Sequence, residues 1–506
     1  MARLGLGGRL PRDGMLALLG ILLVIVAITL PELGSDPWPF RPGTVAPRGI
    51  FAPLVRAAGS EWDVGIARTV CFLAGLFLAG VATLSLKRLD WPAWTGAAVA
   101  LLVALALLAP STFLQLGLRQ STAPWFFTND STYQIEIAGD LLLHGQNPYG
   151  HDYRFSGMER FYTFDGSASA RVRDREVSLE HYAYFPGTVI TGAAWKLLPA
   201  PLDDYRLLVM LATLAGLGAA LAFRAPLRWR LAVGALIAAN PVAVRSSWFG
   251  QSDAPSITLM ILAFALATRG RARWAAAALA GAVLLKQFAV VAIPFLAIML
   301  LKQVGEERSQ GAGLTATAAP PLARAELRRV AAVFAAVVAA GVLPFLIADP
   351  VAFYDDTVKF GAGTYKVVGY GLSGILVRAG IVAGRDGAYP FAPLAILLWL
   401  PLTVWLCRIA HRAREQWVAP AGFAVSILVL LYIGRTFNNY YLLWPAMGVA
   451  IAALVWAGER AGAVAPGAVT RSSRSPSGGK PLAHTPPAKP TRDPTAASGW
   501  GTTPPR

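Results

Sequence analysis

The chain has 506 residues, 55% of them hydrophobic and only 14% charged, with a mean hydropathy of +0.52. A soluble globular chain carries about 25% charged residues, so an ordinary water-soluble enzyme, a coiled coil and a disordered chain are all excluded. The formal net charge of +17 fits arginine-rich loops that hold a membrane protein in place, and no nucleic-acid partner is expected.

Runs of about 20 apolar residues read as membrane-spanning helices. In chain order they centre on 14–31, 65–84, 94–117, 205–223, 231–246, 254–268, 274–285, 288–301, 330–347, 391–407, 418–434 and 441–457. The expected fold is therefore an all-α polytopic integral membrane protein of about 12 transmembrane helices. The first run lacks a small-residue cleavage site and is expected to be an anchor.

Basic groups orient the chain. Arg3, Arg9 and Arg12 precede the first run, and Lys87 and Arg88 follow the second. Arg224, Arg228 and Arg230 follow the fourth, and Arg269, Arg271 and Arg273 the sixth. Lys302, Arg308, Arg324, Arg328 and Arg329 follow the eighth, and Arg408, Arg412 and Arg414 the tenth. Twelve crossings with both termini cytoplasmic put all six groups on one side. Residues 274–301 are read as two short helices meeting at Lys286, because a lone charge at mid-bilayer is costly. Residues 369–384 are then interfacial or re-entrant; a single 274–301 helix would instead require them to cross.

Residues 118–204 form a large extracytoplasmic loop with seven Lys/Arg and eleven Asp/Glu. Within it 183–199, broken by Pro186 and Pro199, is expected to lie at the interface as a helix. Residues 302–329 read as a cytoplasmic linker, and 458–506, rich in Pro, Ser, Thr and Gly, as a disordered basic tail. This organises the chain as 1–93, a two-helix N-terminal extension; 94–457, the main membrane domain; and 458–506, the tail.

On this topology the unusual polar residues share the extracytoplasmic face. They are Asp130 in TNDSTY, the run LLLHGQNPYG (141–150), EHYAYFPG (180–187), WFGQSD (248–253), Lys286-Gln287 and RTFNNYY (435–441). A carboxylate at the water–lipid boundary suits a general base, and desolvation improves it by raising its pKa. Asp130 equally suits the N-cap of a helix starting near Ser131. Lys286 and Arg435 suit phosphate binding or snorkelling to headgroups. Ser252 or Asp253 suits an N-cap at a helix start that is also a mild anion site. His181, Tyr182 and Tyr184 suit hydrogen bonding to a sugar or an aromatic belt. No His or Cys spacing suits a metal, the acidic pair Asp174 and Glu176 reads as a solvated loop, and no phosphate-binding P-loop is present. Cys71 and Cys407 lie in apolar runs, which excludes a disulfide framework.

These fragments resemble the polyprenyl-phosphate-dependent glycosyltransferases of the C superfamily (GT-C), in the bacterial mannosyltransferase and arabinosyltransferase branch. The matching pieces are Asp130 with Tyr133, LLLHGQNPY (141–149), YFPG (184–187), GQSD (250–253), AGAVLLKQ (280–287) and NNYYLLWP (438–445), over about residues 120–455. The resemblance implies transfer of a sugar, mannose or similar, from a polyprenyl-phosphate donor to a glycolipid or polysaccharide acceptor at a bacterial plasma membrane, with inversion. It implies no cofactor beyond the lipid-linked co-substrate and no metal. Asp130 is the implied base, and Lys286 and Arg435 the implied donor-phosphate cations. Tyr149, His181, Tyr184, Gln251, Asp253, Asn438 and Tyr440 are the expected sugar and acceptor contacts. In the family this catalytic loop follows the first helix, whereas here it follows the third. The alternatives are a transporter or flippase of lipid-linked sugars, and a non-catalytic envelope-assembly protein.

Overall fold

A computed structural model describes residues 9–29, 46–58, 64–83, 90–125, 127–163, 166–309, 321–364 and 366–464. It is mostly helical, with two short strand pairs among these residues. The main helices are α1 (Arg12–Thr29), α2 (Val64–Thr83), α3 (Ala93–Gln120), α4 (Asp130–Leu143), α5 (Pro186–Lys196), α6 (Arg206–Leu221), α7 (Leu227–Ala239) and α8 (Pro241–Phe249). They continue with α9 (Ala254–Ala267), α10 (Ala272–Leu285), α11 (Ile293–Ser309), α12 (Pro321–Ala348), α13 (Phe391–Arg412), α14 (Val418–Tyr432) and α15 (Leu443–Val464).

Each of the expected apolar runs holds helix. Among the described residues four helical stretches are long and apolar enough to cross a membrane: Ala93–Gln120, Ala325–Ala348, Phe391–Arg412 and Asn439–Gly462. Most of the others are apolar helices of 10–17 residues. The structure therefore shows a helical chain with membrane-length helices, and the count of twelve crossings goes beyond it.

Several boundaries differ from expectation for local reasons. The 231–246 run is two helices, because Pro241 lacks an N–H and holds Asn240 extended (φ −73°, ψ 152°). The Asn240 side chain then caps α8 by accepting from the Ala243 N–H. Helix α11 runs on to Ser309 and α12 begins at Pro321, so only 310–320 of the expected linker lies outside the described residues. Helix α15 continues to Val464, which shortens the expected tail; 465–506 lie outside the described residues.

Lys286 does break the 274–301 run. Helix α10 stops there, Lys286 is extended (φ −154°), and a 3-10 turn Gln287–Ala292 leads into α11. The chain also reverses at this point. Arg273, at the start of α10, pairs with Glu326 at 2.7 Å, and Lys302 in α11 donates to the Ala413 carbonyl at 2.7 Å. Gln416 donates to Glu459, Gly458 packs against the Arg224 carbonyl, and Arg269 donates to Ala222. These contacts gather the basic loops near Arg224, Arg269, Lys302 and Arg414 at one end of the bundle, with Lys286 at the other; Arg3, Lys87 and Arg88 lie outside the described residues. The one helix in residues 369–384 is Leu372–Arg378, too short to span a membrane as a helix. Strand Val368–Gly369 pairs in parallel with Thr436–Phe437 beside it.

The described residues up to Ala463 form one compact unit. Met15, Leu18 and Leu22 of α1 are buried against Ala100, Ala104, Leu217 and Leu231, so the N-terminal piece packs into the bundle. The largest core lies among α9, α10, α11, α14 and α15, around Phe264, Phe295, Phe423 and Trp444. A second, aromatic core of Tyr149, Tyr153, Tyr182, Phe345 and Phe353 supports the 118–204 region.

Candidate active site

Asp130 is delivered by a turn and a cap. Asn129, not Asp130, caps α4: its Oδ1 accepts from the Ser131 N–H at 2.9 Å and the Ser131 hydroxyl at 2.7 Å. The capping role that the sequence offered to Asp130 thus belongs to its neighbour. Asp130 is the first helical residue, its Oδ1 2.8 Å from the Ser131 nitrogen. The same turn is tied to the GQSD segment, since Thr132 donates to the Gly250 carbonyl. Gly250 sits at φ +92°, and an added Cβ would meet Thr132 Oγ1 at 2.5 Å and Arg206 Cγ at 2.7 Å. Two sequence fragments more than a hundred residues apart are joined there by a position that only glycine fills comfortably.

Behind the turn lies a buried ion-pair network. Arg119 reaches Glu136 at 2.7 Å and Asp204 at 2.7 Å, and Arg206 reaches Asp204 at 2.7 Å. Arg206 also donates to the Phe127 carbonyl, which fixes the turn leading to Asp130. Burial alone would raise the Asp204 carboxyl, but Arg206 and Arg119 outweigh it and hold Asp204 below its usual range. Glu136 pairs with Arg119 and accepts from the Tyr205 N–H at 2.9 Å, but burial and the neighbouring Asp204 carboxylate leave its carboxyl raised.

Lys286 comes from the opposite wall. Its ammonium lies 3.7 Å from Asp253 Oδ1 and 4.8 Å from the centre of the Tyr184 ring. Asp253 also accepts from the Trp444 indole at 3.0 Å. Both Lys286 and Asp253 are buried. Asp130 and Lys286 are within electrostatic reach of each other, and Tyr440 is within reach of both Asp253 and Asp130. Burial pushes the Asp130 carboxyl above its ordinary value, while the Ser131 amide and the Lys286 charge pull the other way. Asp130, Lys286, Asp253, Tyr184 and Tyr440 therefore form one cluster.

The strip 181–184 closes its side. Gln134 donates to the His181 carbonyl at 2.8 Å and Gln287 to the Ala183 carbonyl at 3.0 Å. His181 Nδ1 is 2.7 Å from Asp356 Oδ1, whose other oxygen accepts from the Gly150 N–H at 2.9 Å. Gln251 lies in the GQSD segment with its Oε1 accepting from Ser246 at 2.6 Å. Asn438 donates to the Tyr440 hydroxyl at 3.3 Å. Ser252 Oγ, Thr128 Oγ1 and Gln287 Oε1 are buried and have no hydrogen-bond partner among the described residues.

Two expected residues stand elsewhere. Tyr149 is buried in the aromatic core, and its hydroxyl donates to the Tyr184 carbonyl at 2.9 Å, so it supports Tyr184 from behind. Arg435 points to the 386–389 loop: it donates to the Gly387 carbonyl at 3.3 Å and interacts with Asp386 and Tyr389.

Three residues join the site that the sequence did not single out as contacts. Glu176 pairs with Lys366 and lies within electrostatic reach of Asp130, and Asp356 holds His181. Glu176 had been set aside with Asp174 as loop charge. Lys366 and Asp356 had a weak signal, as polar residues in the stretch after the 330–347 run. Among the described residues no group of His, Cys, Asp and Glu is placed to hold a metal ion.

The chain matches no family model, and neither the curated proteins nor the solved structures contain a significant match.

Proposed function

We propose that the chain is a membrane glycosyltransferase that moves a sugar, mannose or a related one, from a polyprenyl-phosphate donor to a hydroxyl of a glycolipid or polysaccharide. The observation that carries this reading is a half-buried carboxylate of raised basicity, Asp130, within electrostatic reach of the buried Lys286 cation at one end of a bundle of apolar helices. Asp130 takes the proton of the acceptor hydroxyl. The oxygen attacks the anomeric carbon from the face opposite the phosphate, the bond from that carbon to the phosphate oxygen breaks, and polyprenyl phosphate leaves with inversion at carbon. Lys286 stabilises the charge growing on the phosphate, which is usually the largest catalytic contribution. Asp253 orients Lys286, and its own charge is shared with the Trp444 indole.

Tyr184, His181, Gln251, Asn438 and Tyr440 orient sugar and acceptor, and the unpartnered oxygens of Ser252 and Thr128 add acceptors and donors for hydroxyls. Arg435, committed to the 386–389 loop, is a weaker phosphate ligand than Lys366, whose partner Glu176 faces Asp130. The polyprenyl tail lies among the helices, where each buried CH2 contributes about 0.8 kcal/mol. In this reading the site opens to the extracytoplasmic face of a bacterial plasma membrane.

A second reading, a flippase for lipid-linked sugars, is favoured by the buried Lys286–Asp253 pair at a helix break, an arrangement transporters use. One assay separates them: sealed vesicles containing the chain, labelled polyprenyl-phosphate sugar and a lipid acceptor. A new labelled glycosidic product supports transfer. Movement of intact donor between leaflets with no new product overturns transfer in favour of the flippase. A vesicle that gives neither leaves an assembly role and overturns both.

A further inference from the structure

A groove of about 690 Å³ begins at Val290, one turn past Lys286, and runs along the bundle away from the Asp130 cluster. Val290, Pro294 and Ile298 form one wall, and Trp399, Val404 and Cys407 the other. Its few polar groups are already satisfied: Trp399 donates to Ser426 at 3.0 Å and Thr403 shares a 2.7 Å hydrogen bond with the same hydroxyl. The rest is hydrocarbon. Arg408, His411 and Arg412 line one end of the groove and are exposed. Among the described residues none of the three makes a hydrogen bond or an ion pair. The acids near this end are Glu415 and Glu459, and Glu459 already accepts from Gln416.

The polarity of the groove is set by the hairpin at Lys286. Val290 follows Lys286 by one turn, whereas Lys302, by the 413–415 loop, marks the other end. Twelve helical residues span about 18 Å. The cations therefore sit far from Lys286, in the opposite leaflet if the bundle spans a bilayer.

We propose that this groove holds an acyl chain of an anionic phospholipid, with Arg408, His411 and Arg412 gripping its phosphate headgroup. The charge complementarity is direct: three donors without protein partners at the rim, and an apolar trough of matching direction below. Basic pockets between membrane helices bind anionic headgroups in this way. The site is separate from the one that would take polyprenyl phosphate, and does not depend on the transferase reading.

The test uses the purified full chain in detergent and native mass spectrometry with phosphatidylglycerol, phosphatidylcholine of the same chains, or polyprenyl phosphate. Phosphatidylglycerol is expected to be retained preferentially. Replacing Arg408→Gln and Arg412→Gln weakens it by roughly fivefold, about 1 kcal/mol, per cation. Arg408→Lys with Arg412→Lys retains most of it, and Val404→Trp, on the exposed wall, blocks the trough while keeping the rim charges. Equal retention of phosphatidylcholine, preference for polyprenyl phosphate, or wild-type retention in both the Gln pair and Val404→Trp overturns the proposal. A Gln pair that fails to fold leaves Val404→Trp to decide: loss supports the site and full retention refutes it.

Discussion

Burial and Lys286 set the chemistry of Asp130 before it meets a substrate. Burial raises the Asp130 carboxyl and Lys286 partly offsets that rise. A base works only when deprotonated, so activity falls as pH drops through its pKa. The acidic limb of kcat/KM is therefore expected above about 3.9, the ordinary aspartate value. Lys286→Met removes the offset, so the remaining activity is expected to lose its acidic limb at higher pH than wild type; a limb moved to lower pH would contradict the pairing. Asn129→Ala is expected to cost about 1 kcal/mol in thermal or denaturant unfolding, the usual value of a lost cap. It should also lower turnover, because the cap presents Asp130. The sequence made Asp130 and Lys286 visible because a charge beside an apolar run has few structural uses. It could not separate Lys286 from Arg435, since two cations near a membrane look alike until their partners are known. Here one partner is Asp253 in the cluster and the other the Gly387 carbonyl. Asp356 was hidden for the same reason: its partner His181 lies 175 positions away.

At the scale of elements, α4 and α5 cross through glycines. A Cβ at Gly139 would meet the Gly192 carbonyl carbon at 2.5 Å, and one at Gly192 the Ile135 oxygen at 2.7 Å. This close crossing brings the 181–184 strip up to Asp130 through Gln134. Gly139→Leu is expected to destabilise by about 1–3 kcal/mol, as overpacking does, and to depress activity beyond that by displacing His181 and Tyr184. An unchanged unfolding curve would contradict the crossing. Hydropathy located the helices because the backbone N–H and C=O groups of a long apolar run away from water must be hydrogen-bonded within the run, and the charge of Lys286 marked the break in 274–301. Hydropathy missed the break at Asn240–Pro241, where a lost N–H rather than a lost apolar residue ends the helix. It also ended α11 early and began α12 late, because polar residues such as Glu306 and Arg324 continue a helix beyond its apolar part.

Across the described residues, the basic loops from Arg224 to Arg414 gather at one end and the Asp130 cluster at the other, the latter held by the Arg119, Glu136, Asp204 and Arg206 network. Arg206→Met leaves Asp204 buried with one partner fewer and frees the Phe127 carbonyl; breaking such a buried pair costs about 3–5 kcal/mol. The depressed Asp204 pKa stabilises the fold fully above its unfolded value, about 3.9, and this contribution is lost as pH falls through the lower folded value. Acid unfolding of wild type should therefore steepen as pH falls from about 3.9 towards the lower folded value, and Arg206→Met should flatten this dependence.

The account turns on Asp130 as the proton acceptor in sugar transfer. The direct measurement is the rate at which purified wild type and Asp130→Asn form labelled glycosidic product from labelled polyprenyl-phosphate sugar, with donor binding measured on the same samples. The account predicts a fall of about 10²–10⁴-fold, the usual worth of general-base catalysis, with donor binding retained. Near-normal product formation by Asp130→Asn would contradict it.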